Sequence, residues 1–243
     1  PPAQLGLLAH HHSMTTNTSN LTQTIRGNTS LVLGKPATVW RLQEGSLAVF
    51  GARLKDGVSH GPRQYLFSCA AGECLFSTAP DDANPLGLVV VALANSQVEE
   101  INLSERSLDR LVAFEPVLET WIDKLAGALS TTTPYVEPID EGSSDLESGQ
   151  AIKPKPHTLN WLRVSDGKMN VLGLTNCCLE SDDGWLPATQ HLWLNSETNT
   201  SLVCGSAFSL NRSEEWLNGI NLLHRQFFAG LATHMKEEAD REV

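Results

Sequence analysis

Val39-Trp-Arg-Leu-Gln-Glu-Gly45-Ser-Leu-Ala-Val-Phe-Gly51 and Asn160-Trp-Leu-Arg-Val-Ser-Asp-Gly167-Lys-Met-Asn-Val-Leu-Gly173 are two versions of one phrase. Each holds a Trp, a short apolar run, an acidic-Gly pair and a second apolar run ending in Gly, and the two glycines stand six apart in both copies. Glu44-Gly45 and Asp166-Gly167 supply the positive φ that a tight hairpin turn needs. The phrase therefore predicts a β-hairpin near the start of each of two related β-lobes.

Working outward, further short strands are expected with turn residues between them. Arg63 to Cys69 and Cys74 to Ser77 flank the turn Ala70-Ala71-Gly72-Glu73. Leu86 to Ala94 and Gln97 to Leu103 flank Asn95-Ser96. Short strands at regular spacing predict a sandwich or barrel. A helical section follows, with Ser104 as its expected N-cap and Pro116 opening a second helix whose apolar stripe is Leu118, Trp121, Ile122, Leu125 and Leu129. A last helix is expected from Ser213, with Glu214 and Glu215 in its first turn and Trp216, Leu217, Ile220, Leu223, Phe227 and Leu231 on one face.

The expected class is mainly β with helices (α+β): a jelly-roll lobe, a helical segment, and a diverged second β-rich lobe with a C-terminal helix. Residues 1–13, with His10-His11-His12, read as a tag remnant that would bind metal only as a tag. Residues 14–30 read as a flexible lead-in, 31–130 as the first lobe with its helices, 131–156 as an acidic linker with room for an edge strand in part of it, and 157–243 as the second lobe. The final helix runs into a charged tail and reads as cut from a longer chain.

The net charge of −11 argues against nucleic acid, which needs a basic face. No apolar run reaches the length of a membrane span, so direct membrane insertion is not expected. Five cysteines in 243 residues fit a reducing compartment rather than a disulfide scaffold.

The sequence has no Gly-x-x-x-x-Gly-Lys-Ser/Thr phosphate loop, no Gly-x-Gly-x-x-Gly turn and no Gly-x-Ser-x-Gly elbow. Cys69 and Cys74 flank a turn and read as small buried residues rather than a metal pair. Cys177-Cys178 would point to opposite faces of a strand, a poor start for a tetrahedral site. His60, His157, His191 and His224 stand in no supporting motif, and His224 reads as a polar residue on a helix face. Trp40, Trp161, Trp185 and Trp193 read as packing residues. Neither a catalytic residue, a metal site nor a cofactor is expected from these patterns.

The run from Trp40 to Leu54, then Gly61-Pro-Arg-Gln-Tyr-Leu-Phe67, then Ala71-Gly-Glu-Cys-Leu-Phe-Ser77 resembles a cyclic-nucleotide-binding-type β-roll. Over about residues 31 to 235 the order of motifs resembles the N-terminal cytoplasmic region of the ATP-binding protein of NHLM-type bacteriocin export ABC transporters. That resemblance implies a non-catalytic regulatory or substrate-docking region on the cytoplasmic side of the bacterial inner membrane. Its implied partners are a peptide substrate or its leader, the transmembrane and ATPase domains of the same transporter, and a second copy in a homodimer. In true cyclic-nucleotide binders a Phe-Gly-Glu and a later Arg-x-Ala form the phosphate cassette. The corresponding stretch here, around Gly72, Glu73, Phe76, Ser77 and Thr78, is degenerate, and no Arg lies between Thr78 and Glu105. An anionic phosphate there would lack its charge-assisted bonds, so cyclic AMP or GMP is not expected. The alternatives are a small-ligand sensor that still uses the roll, a cupin-like metal enzyme, and a purely structural dimerisation module.

Overall fold

The computed structural model describes residues 21–78, 84–130 and 136–241; the tag histidines lie outside them. The first lobe comprises β1 (Leu21–Ile25), β2 (Ser30–Val32), β3 (Thr38–Glu44), β4 (Ser46–Lys55), β5 (Val58–Ala70), β6 (Cys74–Phe76), β7 (Leu86–Ala92) and β8 (Ser96–Asn102). These form two antiparallel sheets, ordered β1-β8-β3-β6 and β2-β7-β4-β5. Two helices follow, α1 (Leu108–Val112) and α2 (Glu115–Leu129).

The second lobe comprises β9 (Glu137–Pro138), β10 (Gly142–Leu146), β11 (Ala151–Lys153), β12 (Asn160–Asp166), β13 (Lys168–Val171), β14 (Cys178–Glu180), β15 (Leu186–Ala188), β16 (Leu194–Ser196) and β17 (Thr200–Gly205), then α3 (Ser213–Arg241). Its sheets run β10-β17-β12-β15 and β14-β13-β16-β11-β9. With β9 set aside, the strand order of the first lobe is repeated position by position. The fold is mainly β with helices, and it is an internal duplication of one roll.

The repeated phrase marks that duplication, but it does not form a hairpin. β3 pairs with β6 and β8, whereas β4 pairs with β5 and β7. Gly45 (φ +92°) and Gly167 (φ +84°) are corners at which the chain passes from one sheet to the other. The flanking runs show why. β3 and β12 share one burial pattern, in which only the fourth residue, Arg41 or Arg163, is exposed among the first five. Both strands are thus covered on both faces over most of their length. The two other pairs expected as hairpins, around Gly72 and around Asn95, also cross between sheets. The true hairpin of the first lobe is β4–β5, closed where Lys55 faces Val58 across Asp56 (φ +52°) and Gly57 (φ +74°). Two positive φ values in succession match the primed turn that Asp-Gly favours.

Two boundaries move. Within the stretch 131–156, β9 and β10 are edge strands of the second lobe and β11 lies between β16 and β9, with Leu146 and Ile152 in the core. An edge strand buries only its inward residues, which is why an acidic, polar stretch can serve as one. The lead-in 14–30 likewise holds β1, which pairs along its whole length with β8. The first helix starts at Leu108 behind Ser107, not behind Ser104, whose hydroxyl instead donates to Asn102 Oδ1 (2.7 Å).

α2 buries Leu118, Trp121, Ile122, Leu125 and Leu129, the stripe read from the sequence, together with Ala126. α3 lies against α2 and reaches both lobes. Trp216 from α3 packs between Phe76 of the first roll (centroids 6.5 Å) and Trp161 of the second (6.1 Å). Gly51 sits in extended backbone and leaves room for Leu231, while Gly219 lets α3 close onto the Trp161 ring. The two rolls, α2 and α3 therefore share one continuous core, and burying such aromatic surface is the dominant favourable contribution.

Candidate functional site

The degenerate cassette stretch sits where β6 meets β3 and the helices. Gly72 adopts φ +95° in the turn before β6. Glu73 Oε2 accepts from the Ala70 amide (2.7 Å) and from Lys124 Nζ (2.7 Å), tying the turn to α2. Burial alone would raise the Glu73 carboxyl, but the Lys124 hydrogen bond and the Ala70 amide bring it below its usual value. Phe76 is fully buried against Trp121 and Trp216. The Ser77 amide donates to Thr38 O (2.9 Å), and its hydroxyl accepts from Trp40 Nε1 (3.0 Å). Thr78 donates to Leu33 O through its amide (2.9 Å) and its hydroxyl (3.2 Å). The structure brings these five residues together, and it uses them to bind β6 to its neighbours.

Phe76 and Ser77 also form one wall of a cleft of about 200 Å³ between the first roll and the start of α3. Thr38 and Leu103 line the roll side; Trp216, Leu217 and Ile220 line the helix side, with Glu214, Asn218 and Asn221 among the polar lining. Trp216 is fully buried, and its indole N–H has no hydrogen-bond partner. A buried donor left unpaired is costly, on the order of 1–3 kcal/mol. The lining contains no Lys or Arg. With one carboxylate, Glu214, and no cation, the lining does not favour an anion, and Phe76, Leu103 and Ile220 give it an apolar face.

Sequence reading placed Trp216 on the apolar stripe of its helix and missed the cleft. Helical periodicity shows that a Trp faces the core, not that its N–H lacks a partner. Thr38, Asn218 and Asn221 carried no motif at all.

His224 is not on an exposed helix face. It lies in the core, where Nε2 accepts from Trp121 Nε1 (3.0 Å) and the ring stacks on Phe228. Burial pushes its imidazole down to about 3, against a weaker opposing pull from the Ile220 carbonyl. The link joins α2 to α3 through a neutral histidine.

Cys69, Cys74, Cys177 and Cys204 are buried free thiols, and Cys178 is half-buried. Burial pushes the Cys69 and Cys177 thiols up to about 12, far from a reactive thiolate. Lys124 partly offsets this at Cys69. Among the described residues, no three His, Cys, Asp or Glu side chains are grouped as metal ligands. No helix among the described residues is long and apolar enough to cross a membrane.

No protein-family model matches the chain, and no curated protein matches it either. Solved structures similar to it include one titled cAMP bound PfPKA-R (12% identity, 88% of this chain and 80% of that one, TM-score 0.30). FixK2 from Bradyrhizobium japonicum is similar at 18% identity over 45% of this chain, with TM-score 0.29. Reduced CprK without ligand is similar at 8% identity over 54% of this chain and 70% of that one, with TM-score 0.34. The chain spans about half the length of FixK2, covering 52% of it.

Proposed function

We infer that this chain is a non-catalytic regulatory module in which a small ligand in the cleft between the first roll and α3 sets how that helix sits on the roll. The observation that carries the reading is the cleft itself, which lies where Phe76 and Ser77 of the roll stand opposite Trp216, Leu217 and Ile220 of α3. Phe76, Leu103 and Ile220 offer apolar contact, and the carboxamides of Asn218 and Asn221 offer both donors and acceptors. With no cation in the lining, a cyclic phosphate would enter without charge compensation. A neutral planar heterocycle of nucleobase size suits the cleft better. Because α3 also packs on α2 and the second roll, occupancy here would bias the whole helix.

Calorimetry with adenine, cytosine, cyclic AMP and cyclic GMP tests this on the wild-type chain and on Trp216→Phe, which keeps the ring stack but removes the donor. Saturable binding of a free base, weakened at least tenfold in the variant, is expected. Cyclic-nucleotide binding indifferent to the variant would move the site elsewhere in the roll. Failure of every compound to bind would overturn ligand sensing in this cleft.

A second reading, the cytosolic docking region of an ABC-type peptide exporter, rests on the motif order alone: roll, helices, second roll, closing helix. It places the chain beside the transporter's membrane and ATPase domains at the inner membrane. Saturable binding of a bacteriocin leader peptide would support it.

A further inference from the structure

We propose that the free end of the β4–β5 hairpin is a docking surface for anionic lipid headgroups at a membrane surface. β4 keeps its second neighbour, β7, only as far as Arg53, which pairs with Leu86. Beyond that point the hairpin continues alone, with Lys55 paired to Val58 across the Asp56-Gly57 turn. Antiparallel partners share a face, and so do residues two apart on one strand. The pairs Arg53–His60 and Lys55–Val58 therefore set four side chains on one face. All four are exposed. Leu54 lies on the other face, over Gly87 of β7, so that face is the one turned to the roll.

The hairpin is basic in an acidic chain. From Gly51 to Ala70 it carries Arg53, Lys55 and Arg63 against a single carboxylate, Asp56, while the whole chain stands at −11. None of the three cations makes an ion pair among the described residues. Arg63 donates from Nε to Ser59 Oγ (3.0 Å), which holds it at the hairpin. Val58 stands among these charges 67% exposed, an apolar side chain at the end of a finger. Cations around an exposed apolar tip suit a bilayer surface, where phosphates take the charges and the apolar group reaches the headgroup boundary. A protein strand suits the hairpin less well. β5 is broken at Gly61 (φ +75°), Pro62 has no N–H, and the pairing with β4 shifts at Leu66, so no regular edge is offered for strand addition. The rest of the acidic chain is repelled by the same surface, but charges more than about 8 Å away are largely screened at physiological salt, and the repulsion turns the hairpin toward the lipid. The contact is peripheral, and none of Arg53, Lys55, Val58, His60 and Arg63 lines the cleft beside Trp216.

The test is flotation of the full chain with vesicles of phosphatidylcholine alone and of equal parts phosphatidylcholine and phosphatidylglycerol. Binding to the anionic vesicles only is expected, and it should vanish at about 1 M salt, where the screening length is about 3 Å. Arg53→Gln with Lys55→Gln should weaken it about tenfold or more. Val58→Asp should weaken it as well, whereas Val58→Trp, which seats a ring at the interface, should strengthen it. All three side chains are exposed, and circular dichroism checks that the variants keep their fold. Absence of binding, equal binding to both vesicles, or binding indifferent to the double substitution or to Val58→Asp would overturn the proposal. So would retention on immobilised polyglutamate of a chain that ignores the vesicles, which would give the face to an acidic protein.

Discussion

The two rolls share a strand order but differ in the length of one hairpin. In the first, β4 and β5 run for ten and thirteen residues and end in a primed turn; in the second, β13 and β14 run for four and three. The tryptophans differ as well. Counted from the corner glycine, Trp40 stands five residues back and Trp161 six, so they occupy opposite faces of equivalent strands. Trp40 donates to Ser77 within its own roll. Trp161 faces α3, stacking near Trp216 and donating to Glu115 Oε1 (3.0 Å) at the start of α2. One roll has kept an extended hairpin and an adjacent cleft, while the other has turned its equivalent strand into a docking face for helices. A duplicated scaffold can diverge this way because a one-residue offset moves a side chain to the other face without altering the strand order.

The comparison would break most visibly at Trp216, which touches both rolls. Trp216→Ala should cost about 3–5 kcal/mol, read as a lowered denaturation midpoint. A single cooperative transition should persist, since one core spans both lobes; two separate transitions would show that the rolls are independent.

The corner glycines sharpen the comparison next. At Gly167 an added Cβ would fall on the Asn199 carbonyl and 2.8 Å from Thr200 Cα; at Gly45 it would fall on Ser96. Gly167→Ala and Gly45→Ala should each lose about 2 kcal/mol or more, because positive φ and backbone crowding act together. Gly51→Ala should cost less, about 1 kcal/mol, since its backbone is extended and Leu231 can shift. Equal losses at Gly51 and Gly45 would remove the distinction between corner and packing glycines.

The helix-to-helix link gives a smaller, pH-dependent effect. Folded His224 stays neutral down to about 3, whereas an unfolded histidine takes its proton near the ordinary value of 6.5. The unfolded chain therefore binds the extra proton between these values, and stability is full above about 6.5 and falls as pH drops. His224→Gln retains an acceptor for Trp121 and cannot titrate. Its unfolding free energy, measured by urea titration, should fall less steeply across that window than that of the wild type.

The smallest effect is expected at the partly exposed Lys124–Glu73 pair. Lys124→Met should lose about 1 kcal/mol at neutral pH. The Glu73 carboxyl is held below 4.5 when folded, so that contribution is present above 4.5 and disappears as pH falls below it. A loss unchanged at low pH would assign the effect to packing of the lysine stem.

The sequence by itself carried the repeated phrase, the positions of its turn glycines and which faces of its helices are apolar. Glycine spacing records where positive φ is required, and the repeat of three and four records which side of a helix meets the core; both are local properties. It also showed that no Arg lies between Thr78 and Glu105. Whether Glu44-Gly45 closes a hairpin or turns a corner was decided only in three dimensions, because both need the same φ and differ in which distant strand lies alongside. Asp56-Gly57 carries the same signal and does close a hairpin, since Lys55 and Val58 there find each other. Likewise the acidic stretch joined the second lobe's sheets only because β16 and β17 offered hydrogen-bonding partners to β11 and β10. The cleft beside Trp216 exists because α3 returns across the first roll, bringing together residues more than a hundred positions apart, and no local pattern encodes that return.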